Sequence, residues 1–269
     1  MFRRLVFFFF LTTLIWSPAR AQTAAPARDP QALALIASSL KALTGRVAVH
    51  DVIMEATANY IAGSDEESGT ATLTARGNQQ SSVQLNLDGG TRQEIRNGPA
   101  GAWSGPDGTA HSTATHNCWT DASWFFPALT LEAVASDPQT AISYLGPDTS
   151  KGEPLLHLRL MRAPPRQSAG VTIHTLGLSA MDIYLDPNSF LPMVIDFDTH
   201  PDIDANTTIP VEILFGNFQR NSGGLVPLHI QKHLQGTLLL DLVVTNVALN
   251  AGVPQSAFTL PAVPGGGEQ

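Results

Sequence analysis

Three long apolar runs, separated only by short glycine-bearing turns, occupy residues 209–249 and confine the chain to an antiparallel sheet. Residues 209–218 (IPVEILFGNF) are rich in apolar and β-branched side chains and lead to the turn run Asn221-Ser222-Gly223-Gly224. Residues 225–235 (LVPLHIQKHLQ) alternate, with Leu228, Ile230 and Leu234 on one face and His229, Gln231 and His233 on the other. Gly236 breaks that run, and residues 238–249 (LLLDLVVTNVAL) follow, apolar on both faces apart from Asp241 and the Thr245/Asn246 end. Period-two alternation bounded by turn residues is the strand signal, and connections this short join antiparallel neighbours.

The N-terminus carries an export signal. Arg3 and Arg4 precede an apolar core over residues 5–16, Ser17-Pro18 breaks it, and Ala19-Arg20-Ala21 offers small residues for cleavage after Ala21. Twelve apolar residues span only about 18 Å as a helix, too short for a hydrocarbon core of roughly 30 Å. The expectation is an exported product, periplasmic or secreted, that is not integral to a membrane. Removing 21 of 269 residues leaves 248, and losing three of 15 basic residues against 23 acids moves the net charge from −8 to −11. Such a balance argues against nucleic acid or an anionic membrane as partner, since both require a basic patch. Cys118 is the single cysteine, so no disulfide can form within the chain and the core must supply the stability.

Residues 22–28 read as a disordered Ala/Pro-rich tether, and residues 29–261 as one domain followed by a Gly-rich flexible tail, 262–269. Asp29 as N-cap and Pro30 at the first position start a helix on which Leu33, Ile36, Leu40 and Leu43 form one apolar stripe, and Gly45 ends it. Strands are expected over 47–61, 69–76, 81–87 and 91–97, then a hairpin about Gly105-Pro106-Asp107-Gly108, then runs at 141–145, 155–161 and 171–178. Two more flank the turn Asp186-Pro187-Asn188-Ser189. Thr70, Thr72 and Thr74 alternate with Ala71, Leu73 and Ala75, the pattern of a sheet with one wet face. The sum is a mainly β chain: about eleven strands in a single curved antiparallel sheet, an incomplete β-barrel, covered by the N-terminal helix and short aromatic-rich helical segments.

Residues 117–136 (NCWTDASWFFPALTLEAVAS) differ in composition from the rest. Trp119, Trp124, Phe125 and Phe126 place four large aromatics within eight residues. Asp121 is a candidate cap for a short helix that Pro127 interrupts, with a second helix over 129–135. Two readings stay open: the aromatics plug one end of the sheet core, or they line or cover an apolar pocket.

Several segments, in this order, resemble the LolA/LolB/RseB-like group of periplasmic lipoprotein carriers, receptors and sensors. They are the opening amphipathic helix, the hairpin Ile183-Tyr184-Leu185-Asp186-Pro187-Asn188 with Leu191-Pro192-Met193-Val194-Ile195, and the strand start Gly223-Gly224-Leu225-Val226-Pro227. The last is Val253-Pro254-Gln255-Ser256-Ala257-Phe258-Thr259-Leu260-Pro261. The resemblance covers mainly residues 183–261 and the first helix. It implies a half-barrel whose helices cover an apolar cavity, able in the carriers to receive acyl chains. On that reading Trp119, Trp124, Phe125, Phe126, Leu129 and Leu131 form a lid, and Leu33, Ile36 and Leu40 line the helix side. The ligand would be a lipid, a lipoprotein acyl chain or another apolar molecule. An envelope protein bound to a closed core is the alternative, and a hydrolase with a dispersed site a third.

No motif for catalysis, metal or cofactor accompanies this. Asp202-Ile203-Asp204-Ala205-Asn206 opens like a calcium loop, but Thr207 replaces the glycine and Ile213 stands where a bidentate Glu is needed. Asp198, His200, Asp202 and Asp204 approach one another only if extended, and Pro201 interrupts that. His111, His116 and Cys118 lack a fourth partner at zinc spacing. His229 and His233 lie roughly 13 Å apart along a strand, too far to share an ion. Cys118, with His116 nearby, is a candidate nucleophile, but a lone buried thiol is the commoner and simpler reading. No enzyme activity and no cofactor is expected.

Overall fold

A computed structural model describes residues 26–45, 47–162, 177–221 and 223–264. The signal segment expected over 1–21, most of the expected tether, the larger part of the strand expected over 171–178, and the end of the expected tail lie outside the described residues.

Helix α1 (Pro30–Thr44) leads into six strands: β1 (Asp51–Ala62), β2 (Asp65–Arg76), β3 (Gln80–Leu87), β4 (Gly90–Asn97), β5 (Ala100–Ser104) and β6 (Ala110–Thr113). A 3-10 turn (Thr115–Cys118) and helix α2 (Pro127–Ser136) follow. Seven more strands complete the sheet: β7 (Thr140–Asp148), β8 (Leu155–Arg162), β9 (Met181–Leu185), β10 (Pro192–Thr199), β11 (Ile209–Asn221), β12 (Gly224–Leu234) and β13 (Thr237–Leu249). A second 3-10 turn (Gln255–Phe258) ends the chain's regular structure.

All thirteen strands belong to one antiparallel sheet, in the order β6-β5-β4-β3-β2-β1-β13-β12-β11-β10-β9-β8-β7, and it is not closed into a barrel. The described strands thus exceed the eleven expected. The meander at 209–249 is β11–β12–β13, as the alternation requires. Strands β6 and β7 are consecutive in sequence yet form opposite edges of the sheet. Tight turns suffice for antiparallel neighbours, so the segment from Ala114 to Gln139 is left to cross from one edge to the other. Its side chains and α1 cover the sheet's concave face.

Register shifts bend the sheet. They occur at Glu55/Ala56, Tyr144/Gly146, Pro192/Val194 and Lys232/His233, where an extra residue sharpens the local twist. Glycine is indispensable at residue 69, where a Cβ would lie 2.0 Å from the Asn86 carbonyl oxygen on β3. The predicted wet and dry faces of β2 are observed: Ala71, Leu73 and Ala75 are buried while Thr70 and Thr72 are exposed.

Helix α1 has the expected caps. The Asp29 carboxylate accepts from the Gln31 amide (2.8 Å) and, through its other oxygen, from the Tyr144 amide of β7 (3.1 Å). Those two backbone donors, Gln31 first, hold the carboxyl below the usual range. Gly45 adopts φ 68° and donates to the Lys41 carbonyl (3.0 Å). The buried stripe is Ala32, Ile36, Ser39 and Leu43, with Leu33 and Leu40 flanking it against the core. Small residues at 32 and 39 let α1 approach α2, β7 and β12. Arg28, which the sequence places in the tether, is instead bridged in parallel to Ile142 of β7. Its guanidinium donates to the Val134, Ala135 and Asp137 carbonyls at the C-terminus of α2, where a cation complements the helix dipole.

Within the crossover two expectations are corrected. Pro127 is the first residue of α2 and does not interrupt a helix, since its missing N–H costs nothing there. Asp121 caps no helix; it is buried and paired with Arg162 of β8.

Candidate functional site

The concave face is mostly apolar from β7 round to β3, Lys232 of β12 being the main exception, and changes character at β4. On β4 the lone apolar residue of the alternating run, Ile95, points to the convex side, where it packs with Val253 and Phe258 of the C-terminal segment. By alternation Arg92, Glu94 and Arg96 then face the concave side, and Glu94 pairs in register with Val83 of β3 and Trp103 of β5. Facing them is Lys232 of β12, on the same side of its strand as Ile230 and Leu234. The register shift opposite Lys232 adds Leu239 to β13, so Leu239 and Leu240 both turn toward the same space.

This space is a groove with two halves. The polar half, about 290 Å³, is walled by Arg96, Thr113, Asn117, Asp121, Phe197 and His200. The apolar half, about 400 Å³, is walled by Tyr60, Val83, Leu85, Arg92, Pro106 and Leu240. Glu94, Trp103, Trp124, Lys232 and Leu239 line both halves, which makes the groove continuous. Its size falls in the range of small-molecule sites, roughly 300–1,000 Å³.

Two of the charges here are already matched. Arg92 makes a double hydrogen bond to Glu67 (2.7 and 2.8 Å) and lies over the Tyr60 ring (4.7 Å). Asp121 is held by Arg162 and by the Asn78 side-chain amide (3.1 Å), and Ala122 donates to the Asn78 carbonyl (2.8 Å), which pins the crossover to the β2–β3 turn. Lys232 differs: its ammonium sits 4.6 Å from the centroid of Trp124, and among the described residues no carboxylate lies within ion-pair distance of it. Burial holds it below the ordinary lysine range, with Glu94 opposing and Arg96 adding to the effect.

The 3-10 turn closes one end of the groove. Asn117 accepts from the His200 amide (2.8 Å) and from the Thr199 hydroxyl (3.1 Å), and donates to the His200 carbonyl (2.8 Å). His116 reaches the Pro201 carbonyl at 3.2 Å, and the His116 and His200 rings meet edge-on at 5.8 Å. His200 Nδ1 faces the Thr207 carbonyl (2.9 Å) and so carries the proton, leaving Nε2 as an acceptor in the neutral ring. Asp204 turns back on Asn206 and Thr207 while Asp202 lies at the exposed rim, so the acidic pair does not converge. No group of three or more metal-type ligands occurs among the described residues. Cys118 is buried and burial pushes its thiol pKa up, the opposite of an activated nucleophile. His111 stacks on Trp103 at 4.4 Å, and His229 pairs with Asp241 at 2.7 Å.

Of the residues expected to bind a ligand, Trp124 lines both halves of the groove. Phe125, Phe126, Leu129, Leu131 and Ile36 lie in the main core, with Leu33 and Leu40 packed against it, and Trp119 is half-buried. These eight do not line the groove. Both readings of the aromatic stretch therefore apply, to different residues: Phe125 and Phe126 plug, Trp124 lines. Sequence reasoning passed over Lys232, Glu94 and Arg96. For Lys232 the signal was present, a lysine in phase with Ile230 and Leu234. For β4 there was none, because which face of a strand is concave depends on the closure of the sheet.

A second charged cluster decorates the convex side of β8–β11. Lys151 bridges Asp196 and Glu212 (2.6 Å each), and Arg159 holds Asp182 through two bonds of 2.8 Å. His157 lies between Asp148 (3.3 Å) and Asp182 (3.0 Å) and stacks on Tyr184 at 4.3 Å. Burial, then the Asp196 and Asp182 charges, pushes the Tyr184 phenol up to about 12. Burial alone would raise Asp182, but hydrogen bonds from Arg159 and His157 outweigh it and the carboxyl is held low. Asp196 goes the other way, burial prevailing over Lys151. A depressed carboxyl contributes stability above its unfolded value, about pH 4, and loses it as pH falls through the folded value. Urea unfolding should thus show Asp182→Asn less stable than the parent at pH 6, with the gap closing below about pH 4. A gap that stays constant down to pH 2 would contradict this role.

An open, curved antiparallel sheet with helices over one face is the fold of LolA-like proteins. Three solved structures share it. One is a domain assigned to outer membrane lipoprotein sorting from Vibrio parahaemolyticus (10% identity, TM-score 0.51, 85% of this chain and 96% of that one). The second is a LolA superfamily protein from Nitrosomonas europaea (14%, 0.52, 85% and 97%). The third is a DUF1329 family protein from Desulfovibrio piger (9%, 0.50, 87% and 98%). At such identities the likeness is one of fold. No family model and no curated protein matches the sequence. No helix among the described residues is long and apolar enough to cross a membrane.

Proposed function

We propose that this chain is an exported, non-enzymatic carrier that holds the acyl chain of a lipid or lipoprotein in the groove beside Trp124. The supporting observation is the groove's apolar half, about 400 Å³ walled by Val83, Leu85, Leu239 and Leu240 inside a carrier fold. Each methylene moved there from water contributes about 0.8 kcal/mol. In this reading Trp124 touches the ligand, and Trp119, Phe125, Phe126, Leu129, Leu131, Leu33, Ile36 and Leu40 hold the lid and helix in place around it. Export through the 1–21 signal would deliver the carrier to the envelope, where such ligands occur.

Native mass spectrometry of protein purified from a bacterial envelope fraction should show a co-purifying lipid. Trp124→Ala should weaken uptake of a fluorescent fatty acid about tenfold or more, as loss of a central aromatic anchor does. A protein that carries no lipid and takes up no probe would end the carrier reading.

A further inference from the structure

Lys232 is a half-buried cation at a position in phase with the core residues of its strand. The alternation of β12 points it at the concave core side with Ile230 and Leu234, where a leucine or methionine would fill the same volume without a charge to desolvate. Its one close partner among the described residues is the face of Trp124, an attraction too weak to replace the solvation of an ammonium. Facing it are two unmatched groups on β4, the Glu94 carboxylate and the Arg96 guanidinium. The other charges of the groove are neutralised in pairs, Arg92 by Glu67 and Asp121 by Arg162, while Asp202 stands at the solvent-exposed rim. Two cations and one carboxylate remain inside, one positive charge in excess.

Among the described residues, buried polar atoms without a protein partner mark the same place, Asp121 Oδ2 and His200 Nε2 as acceptors beside groups on Arg96 and Thr113 that can donate. Arg96 donates through Nη2 to the Thr120 carbonyl (3.0 Å), but its Nε is buried with no protein acceptor. Thr113 Oγ1, also in the wall of the polar half, is buried without a protein partner. The apolar half begins at the same Trp124 and Lys232, so a head seated here leaves a tail running along Val83 and Leu85.

We propose that the groove selects amphiphiles with a singly charged anionic head, carboxylate or phosphodiester, seated between Lys232 and Arg96 with the acyl chain in the apolar half. The proposal rests on the carrier reading and narrows the class of lipid carried. An anion beside Lys232 supplies the missing counter-charge and returns the ammonium toward its ordinary range. Glu94 opposes any second negative charge, which is why the head is singly charged.

The test is displacement of a neutral dye, Nile red, from the purified mature protein at pH 7 by oleate, 1-oleoyl-lysophosphatidylglycerol and methyl oleate. At least one of the two anions should bind tenfold or more tightly than the ester, and which one does so identifies the head. Lys232→Met should abolish the preference, bringing the anions to the affinity that the same variant shows for the ester, and Lys232→Arg should retain the preference. Equal affinity of anions and ester in the unaltered protein overturns the head-group proposal and leaves the carrier reading standing. That is the result expected if the lysine stem merely covers Trp124. No displacement by any of the three overturns both. Because the comparison of ligands is made on the unaltered chain, a variant that fails to fold does not remove the test.

Discussion

Replacing Phe125 with alanine is expected to lower the unfolding free energy by about 3–5 kcal/mol, among the largest losses a single core truncation produces. Phe125 has no exposed surface and packs in one cluster with residues of α1, α2 and the concave strands. Its ring meets Trp124 edge-on at 5.5 Å. For a domain of this size each kcal/mol lowers the melting temperature by roughly 2–4 °C, so a shift on the order of 10 °C should appear in calorimetry. Ligand uptake, measured well below the transition, should survive. Trp124→Ala inverts the pattern, with binding the more affected. If Phe125→Ala costs under about 1 kcal/mol, the crossover is not part of the core and the division of labour between the two neighbours fails.

The second large effect comes from Arg162. Its guanidinium pairs with Asp121, whose side chain is fully buried, and Asp121 is one of the residues that tie the aromatic crossover to the sheet. Arg162→Met removes the partner and strands a carboxylate out of water, a change that typically costs about 3–5 kcal/mol. Adding Asp121→Asn to that variant should recover most of the loss, since no buried charge then remains and the Asn78 contact can persist. A double-mutant cycle in urea reads this directly as a coupling energy. Additive losses, with no recovery in the double variant, would show that the pair does not anchor the crossover.

How much of this was legible in advance follows from the range over which each signal acts. The caps of α1 were readable because Asp29, Pro30 and Gly45 act on the backbone within one turn. The meander 209–249 was readable because alternation and glycine turns are local. Pro127 was misassigned because the same residue breaks a helix from within and opens one at its first position, and only the path of the chain before it decides which. Arg28 was assigned to the tether because its acceptors, at the C-terminus of α2, lie more than a hundred residues away.

The groove shows the limit most clearly. Trp124, Phe125 and Phe126 are adjacent and alike in composition, yet one lines a cavity and two fill a core. Nothing in their order distinguishes them. The sequence by itself determined the antiparallel sheet, its turns and the capped first helix, all set by patterns within a few residues. Tertiary structure alone decided that residues 114–139 cross the concave face of the sheet from edge to edge, and that Lys232 meets Glu94 and Arg96. Those outcomes depend on accumulated twist and bulges bringing β4 and β12 face to face, and no local pattern encodes the sum of such bends.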